Sequence, residues 1–171
     1  SIIKTASLHK NDILKFRNDI CKREVSKGKN EPPYYYVIPQ VQSDQSEFIN
    51  MVNLLQEHGI NVFLLTENYT LNGINIKTGD IVIPLAQPFR AFIKEVMEEQ
   101  VYPVRHFTPG GEIMRPYDVT SWSLPLHRGV VSHEIKVRDQ AFETKLKAVN
   151  GVYNPTGQAS KLPAVFPVTS N

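Results

Sequence analysis

Apolar residues first recur at helical spacing in residues 7–28, where Ile13, Phe16 and Ile20 share one face. Ser7 stands where an N-cap belongs, and Gly28 stands where such a helix would stop. The run KGKNEPP at 27–33 has the composition of a linker, so this helix reads as an arm beside the core. Tyr34 to Ile38 is a short apolar, aromatic run closed by Pro39, the pattern of a buried strand. Asp44 and Glu47 then have capping-box spacing, and Phe48, Met51, Val52 and Leu55 form one stripe ended by Gly59. Asn61 to Leu65 predicts another strand. A strand, a helix and a strand joined by the short return HGIN predict a right-handed crossover and a parallel sheet.

Asn72-Gly73 and Thr78-Gly79-Asp80 are turn signals on either side of Ile74 to Ile76. They predict a small hairpin leading into a strand over Asp80 to Leu85. Pro88 marks the start of a helix whose buried stripe would be Phe89, Phe92, Ile93, Val96 and Met97. Residues 103–116 read as a loop, tightest at Pro109-Gly110-Gly111, and Val130 to Val137 alternates as a strand does. Beyond Arg138 the pattern weakens, with one last strand expected at Ala164 to Val168. The expected architecture is therefore α/β, three-layered, with a mostly parallel sheet and an N-terminal helical arm. Its parts would be a connector and linker over 1–31, an α/β domain over 32–137, and a C-terminal extension over 138–171. VIPQVQSDQ and VFPVTSN each end a strand in a polar turn, so the extension reads as the start of a further unit.

Composition narrows the class. In 171 residues, 41% hydrophobic and 21% charged, there is material for a real core, and wholesale disorder is excluded. No apolar run approaches the length of a membrane span. No leader pattern opens the sequence, and a first residue of Ser1 reads as an excised piece of a longer polypeptide. The net charge of +2 is unevenly placed: residues 1–30 carry +5 and the remainder −3. Aromatic residues are not interleaved with the basic ones as in a nucleic-acid stacking platform, so the basic arm reads as a solvated helix face. The single cysteine, Cys21, excludes an internal disulfide and reads as a buried, inert thiol.

His9, His58, His106, His127 and His133 open no H-x-x-E or H-E-x-x-H pattern. His133 and Glu134 are adjacent, and on a strand they would point to opposite faces. The stretch IVIPLAQPFRAFI is strand, sharp turn, helix, the junction that carries the nucleophile in α/β hydrolases and class I glutamine amidotransferases. Here the junction holds Ala86, Gln87 and Pro88, so the reactive atom is missing. No Gly-rich phosphate loop is present, and Gly110-Gly111 reads as a turn. Arg90 lacks an acidic partner at i+3 or i+4, where Ile93 and Lys94 stand. It is therefore expected to reach outward, to a loop carboxylate such as Asp118 or to a partner, or else to be solvated.

PYDVTSWSLPL, at 116–126, concentrates aromatic and hydrogen-bonding side chains between Pro116 and Pro125. Arg115 and Asp118 are poor machinery without a second acid or base. The favoured reading is a loop pinned by Asp118, with Tyr117 and Trp122 packed inward; an interface hot spot is the other. Gln87, Arg90, Arg115, Tyr117, Asp118 and Trp122 are the candidate contact or ligand-surface residues, and no catalytic or metal-ligating residue is assigned.

YYVIP, a helix ending in HGI, GDIVIPLAQPFR, EEQVYP and PYDVTSWSLPL follow one another in this order. Together they resemble the region after the catalytic domain in large bacterial zinc carboxypeptidase-like proteins. The resemblance covers about residues 34–130, and the helix at 7–28 is similar to the connector out of the peptidase domain. It implies a flavodoxin-like domain similar to class I glutamine amidotransferases but without their catalytic cysteine. It further implies an accessory, non-catalytic role in domain packing or in shaping a substrate cleft. The implied parent is a metallopeptidase, extracytoplasmic, with zinc held by a peptidase domain of the same polypeptide. For this chain itself no cofactor, nucleic acid or membrane span is expected, and its sequence gives no address. An independent amidotransferase- or hydrolase-type enzyme and a small-ligand or glycan-binding module remain open alternatives.

Overall fold

The computed structural model describes residues 1–99, 103–115 and 123–155. In chain order the elements are α1 (Ile2–Leu8), α2 (Lys10–Asn30), β1 (Tyr35–Ile38), α3 (Gln45–Glu57), β2 (Phe63–Leu65), β3 (Tyr69–Leu71) and β4 (Ile74–Ile76). They continue with β5 (Ile81–Pro84), α4 (Arg90–Met97), α5 (Leu124–Arg128), β6 (His133–Ile135), α6 (Gln140–Glu143) and β7 (Leu146–Ala148).

Five strands form one sheet in the order β6-β1-β5-β2-β7, and every neighbouring pair is antiparallel. This corrects the mostly parallel, flavodoxin-like or amidotransferase-like sheet expected from the sequence. β1 and β2 are both antiparallel to β5, so they run in the same direction, as a strand–helix–strand unit requires. What overturns the expectation is β5, which inserts between them and replaces the one parallel contact with two antiparallel ones.

Both faces of the sheet are covered. Tyr36 and Ile38 of β1 join Phe48, Met51, Val52 and Leu55 of α3 and Ile93 and Met97 of α4 in one core. Tyr35 and Val37 face the other way, onto Leu71, Ile76 and Phe142 from the β3–β4 hairpin and α6. With all four residues of β1 buried, the strand reads as a continuous apolar run rather than an alternating one. Each such aliphatic or aromatic side chain contributes about 1.5–3 kcal/mol on burial.

Several elements shift from their sequence-based limits. The arm is two helices separated at His9, and α2 runs through Gly28 to Asn30. Gly28 is in α2 for proximity rather than termination: a Cβ there would lie 2.1 Å from the Leu85 carbonyl oxygen and 2.6 Å from Ala86 Cα. The buried face of α4 is Arg90, Ile93 and Met97, whereas Phe89 and Phe92 are partly exposed and Phe92 stacks on His58. The edge strand β6 is shorter than expected, His133–Ile135. Residues 139–153 are part of the fold: β7 pairs with β2, and Phe142 and Tyr153 lie in the two cores. The strand expected at 164–168 lies outside the described residues.

Candidate functional site

Two adjacent tyrosines of β1 organise the polar chemistry, one on each face of the sheet. Tyr35 opens toward α6. Its hydroxyl donates to Glu143 Oε1 at 2.7 Å, and Arg138 donates to the same carboxylate through Nε at 2.9 Å and Nη2 at 3.3 Å. Arg138 Nη1 also donates to the Lys29 carbonyl at 3.2 Å, tying α6 to the end of α2. Asp139 caps α6 through the N–H groups of Ala141 and Phe142 and accepts the Tyr69 hydroxyl at 2.7 Å. A small cavity of about 230 Å³ adjoins this cluster, between Tyr34, Phe63, Pro84 and Leu146.

The ionisations follow from these partners. The Arg138 hydrogen bond holds the Glu143 carboxyl below the usual carboxylate range, against the effect of burial. The Tyr69 hydrogen bond does the same for Asp139. Burial first, then the bond to Glu143, pushes the Tyr35 phenol up. Carboxylates held low and phenols held high exchange no proton near neutrality, so the cluster acts as a lock rather than as acid–base machinery.

Tyr36 opens the other way, into a cleft of about 760 Å³ between the end of α4, α5 and β6. Its ring is buried, and its hydroxyl donates to Glu134 Oε2 at 3.4 Å, the residue facing it across the β1–β6 pair. Lys136, two residues on along β6 and largely exposed, meets Glu134 Oε1 at 3.2 Å. Burial, and then the charges of Glu134 and Glu98, push the Tyr36 phenol up, with Arg90 opposing. Glu99, Ser123 and Ser132 add polar groups to the lining; Met97, Pro125, Leu126, Val130 and Val131 make its apolar part. α5 is positioned by Pro125 in its first turn and ends at Gly129, whose φ of +64° turns the chain back toward β6.

The sequence-based candidates divide. Gln87 is buried and its amide is spent on backbone: Oε1 accepts Asn61 N–H at 2.8 Å, and Nε2 donates to the carbonyls of Asn61 at 3.2 Å and Pro84 at 2.6 Å. It clamps the turn after β5 to the entry of β2. Arg90 does not reach outward. It is 7% exposed, and its Nη2 donates to the Pro32 carbonyl at 3.2 Å and more distantly to that of Glu31, at the exit of the arm. Its Nε finds no hydrogen-bond partner among the described residues. The strand–turn–helix junction at 86–88 is backed by Gly28 of α2. Arg115 is exposed at the end of a loop closed by the His106–Ile113 bridge. Tyr117, Asp118 and Trp122 lie outside the described residues, and with them the expected Arg90–Asp118 proximity. The described end of PYDVTSWSLPL does reach a site: Ser123, Pro125 and Leu126 line the Tyr36 cleft.

Tyr36, Glu134 and Ser132 were missed by sequence reasoning. The separation of 98 positions between Tyr36 and Glu134 leaves no local signal. Only an antiparallel β1–β6 pairing would have put them opposite one another. Among the described residues no group of three or more His, Cys, Asp or Glu is arranged to hold a metal ion, and no helix is long and apolar enough to cross a membrane.

No family model matches this chain, and neither a curated protein nor a solved structure matches it.

Proposed function

We propose that this chain is a non-catalytic accessory module that works by contact, with its N-terminal arm as the docking element. The observation that carries the reading is the arm's uncovered apolar face. α2 is seated on the domain through Glu24 and Gly28, the only buried residues in it. Further out along α2, Ile13 and Phe16 are 52% and 68% exposed, and α1 adds exposed Ile2, Ile3 and Leu8. These exposed apolar side chains leave the arm, beyond its seated end, with a surface suited to contact with another body.

The motif order supports placing that body in a zinc carboxypeptidase-like polypeptide, as a peptidase domain holding the zinc. The antiparallel sheet departs from the amidotransferase-like fold which that resemblance implies, so the proposal rests on the motifs and the arm. Two features favour contact over independent amidotransferase or hydrolase activity: the filled junction at 86–88 and the fully spent Tyr35–Glu143 cluster.

The test joins a peptidase domain of this class to the chain in trans. The expected result is association that Phe16→Asp abolishes while the fold persists, with no amide or ester hydrolysis by the chain alone. Hydrolysis by the chain alone, or association indifferent to Phe16→Asp, would overturn the reading.

A further inference from the structure

The Tyr36 cleft has a use that the arm does not explain. Its floor is a buried phenol whose one hydrogen bond runs outward to Glu134, at a long 3.4 Å. A hydroxyl that donates to a carboxylate keeps its own lone pairs free to accept. Glu134 is only partly covered, and its ion pair with Lys136 is held by a lysine that is 68% exposed. Such a pair is weak and easily displaced. Glu99 stands at the same cleft. Apart from the Ser123 and Ser132 hydroxyls and the Asn72 amide, which donate or accept, the polar groups on offer are the acceptors Glu134, Glu99 and the Tyr36 oxygen, with one dispensable cation, Lys136, among them. Beside them lie Met97, Leu126 and Val130, an apolar wall next to the acceptors.

We infer that this cleft binds a cationic N–H donor carried on an apolar stem, an alkylamine or alkylguanidinium group. The head would donate to Glu134 and to the Tyr36 oxygen, displacing Lys136. The stem would lie along the wall formed by Leu126 and Val130. Pairing of an acceptor-only carboxylate with a guanidinium is the stronger form of such a bond, so the guanidinium is the preferred head. At about 760 Å³ the cleft exceeds what one such group fills. That leaves room for the remainder of a peptide carrying a basic residue, and β6 beside it is an edge strand of the sheet. This inference stands apart from the docking arm and survives its failure.

The experiment uses the whole chain and follows amide shifts by NMR. The probes are agmatine, a blocked pentapeptide with one central arginine, and pentanol as an uncharged stem of similar reach. Agmatine and the peptide should move the amides of Val130, Ser132 and Glu134, and pentanol should bind far more weakly. A peptide tighter than agmatine identifies a basic peptide as the natural occupant; equal binding identifies a free amine or guanidine. Glu134→Gln should weaken agmatine on the order of tenfold, the loss of one charge-assisted hydrogen bond. Lys136→Ala should tighten it, because the competing cation is gone; a purely structural role for Glu134 predicts no such gain. The inference is overturned if pentanol binds as well as agmatine, if Glu134→Gln leaves binding unchanged, or if neither cationic probe moves these amides.

Discussion

Gly28 of α2 lies against the backbone of Leu85, so close that a Cβ on Gly28 would fall 2.1 Å from the Leu85 carbonyl oxygen. The missing side chain lets the arm rest directly on the end of β5. It also gives the sequence position a meaning opposite to its usual one in a helix. Glycine there costs about 1 kcal/mol of helix propensity relative to alanine, yet alanine cannot fit. Gly28→Ala should therefore destabilise the chain by about 1–3 kcal/mol, the range for overpacking against a backbone that cannot give way. Urea denaturation followed by circular dichroism measures this, with Lys22→Ala on the exposed side of α2 as control. A neutral or stabilising Gly28→Ala would show that the arm is not seated there.

Gln87 makes a second prediction, because its amide satisfies three backbone groups at once. Gln87→Glu keeps the shape and the acceptor for Asn61 N–H. It replaces the donor with a buried charge facing the carbonyls of Asn61 and Pro84. A loss of about 2–4 kcal/mol is expected at neutral pH, the cost of leaving buried carbonyls unpaired beside a carboxylate. The loss should shrink as the pH falls and the introduced carboxyl gains a proton. Paired melting curves at neutral and mildly acid pH decide it; a deficit independent of pH counts against the clamp.

These two contacts also show where sequence reading reaches and where it stops. Asp44 accepts from Ser46 and Glu47 N–H as an N-cap, and Phe48, Met51, Val52 and Leu55 are buried, because helix signals lie within a turn or two of the chain. The hairpin around Asn72-Gly73 was legible for the same reason: positive φ at both residues favours those residue types. The sheet was not. HGIN between a helix and a strand implies that β1 and β2 point the same way, but carries no information on whether a later strand slides between them. The buried face of α4 was misread by one step, since Phe89 and Phe92 outrank Arg90 in hydrophobicity. Arg90 is nonetheless the residue turned inward, because the carbonyls of Glu31 and Pro32 give its guanidinium partners.

Asp44 gives a prediction of ordinary size. Its Oδ1 accepts from Ser46 N–H at 2.9 Å and Glu47 N–H at 3.0 Å, and α3 supplies four residues to the main core. Asp44→Ala should cost about 1 kcal/mol, while Asp44→Ser should recover most of it. Thermal denaturation of the pair distinguishes a cap from a surface charge, for which serine would recover nothing.

The Tyr35–Glu143–Arg138 lock predicts how stability depends on pH. Glu143 is held below the usual carboxyl range, chiefly by the Arg138 hydrogen bond, so it takes up a proton less readily folded than unfolded. Its contribution is therefore present above the unfolded carboxyl value, near pH 4.3, and is lost as the pH falls through the lower folded value. Tyr35 has the opposite window. Its phenol is held above the ordinary 10.0, so stability falls once the unfolded phenol begins to ionise in alkali. Glu143→Gln should flatten the acid limb of the stability curve and lower the neutral plateau. Tyr35→Phe should flatten the alkaline limb. Because Arg138 also holds the Lys29 carbonyl, Arg138→Ala should loosen the end of α2 as well, seen as faster amide exchange over residues 27–31 than in the native chain at the same pH. An acid limb unchanged by Glu143→Gln would place the carboxylate outside the balance that holds α6 to the sheet.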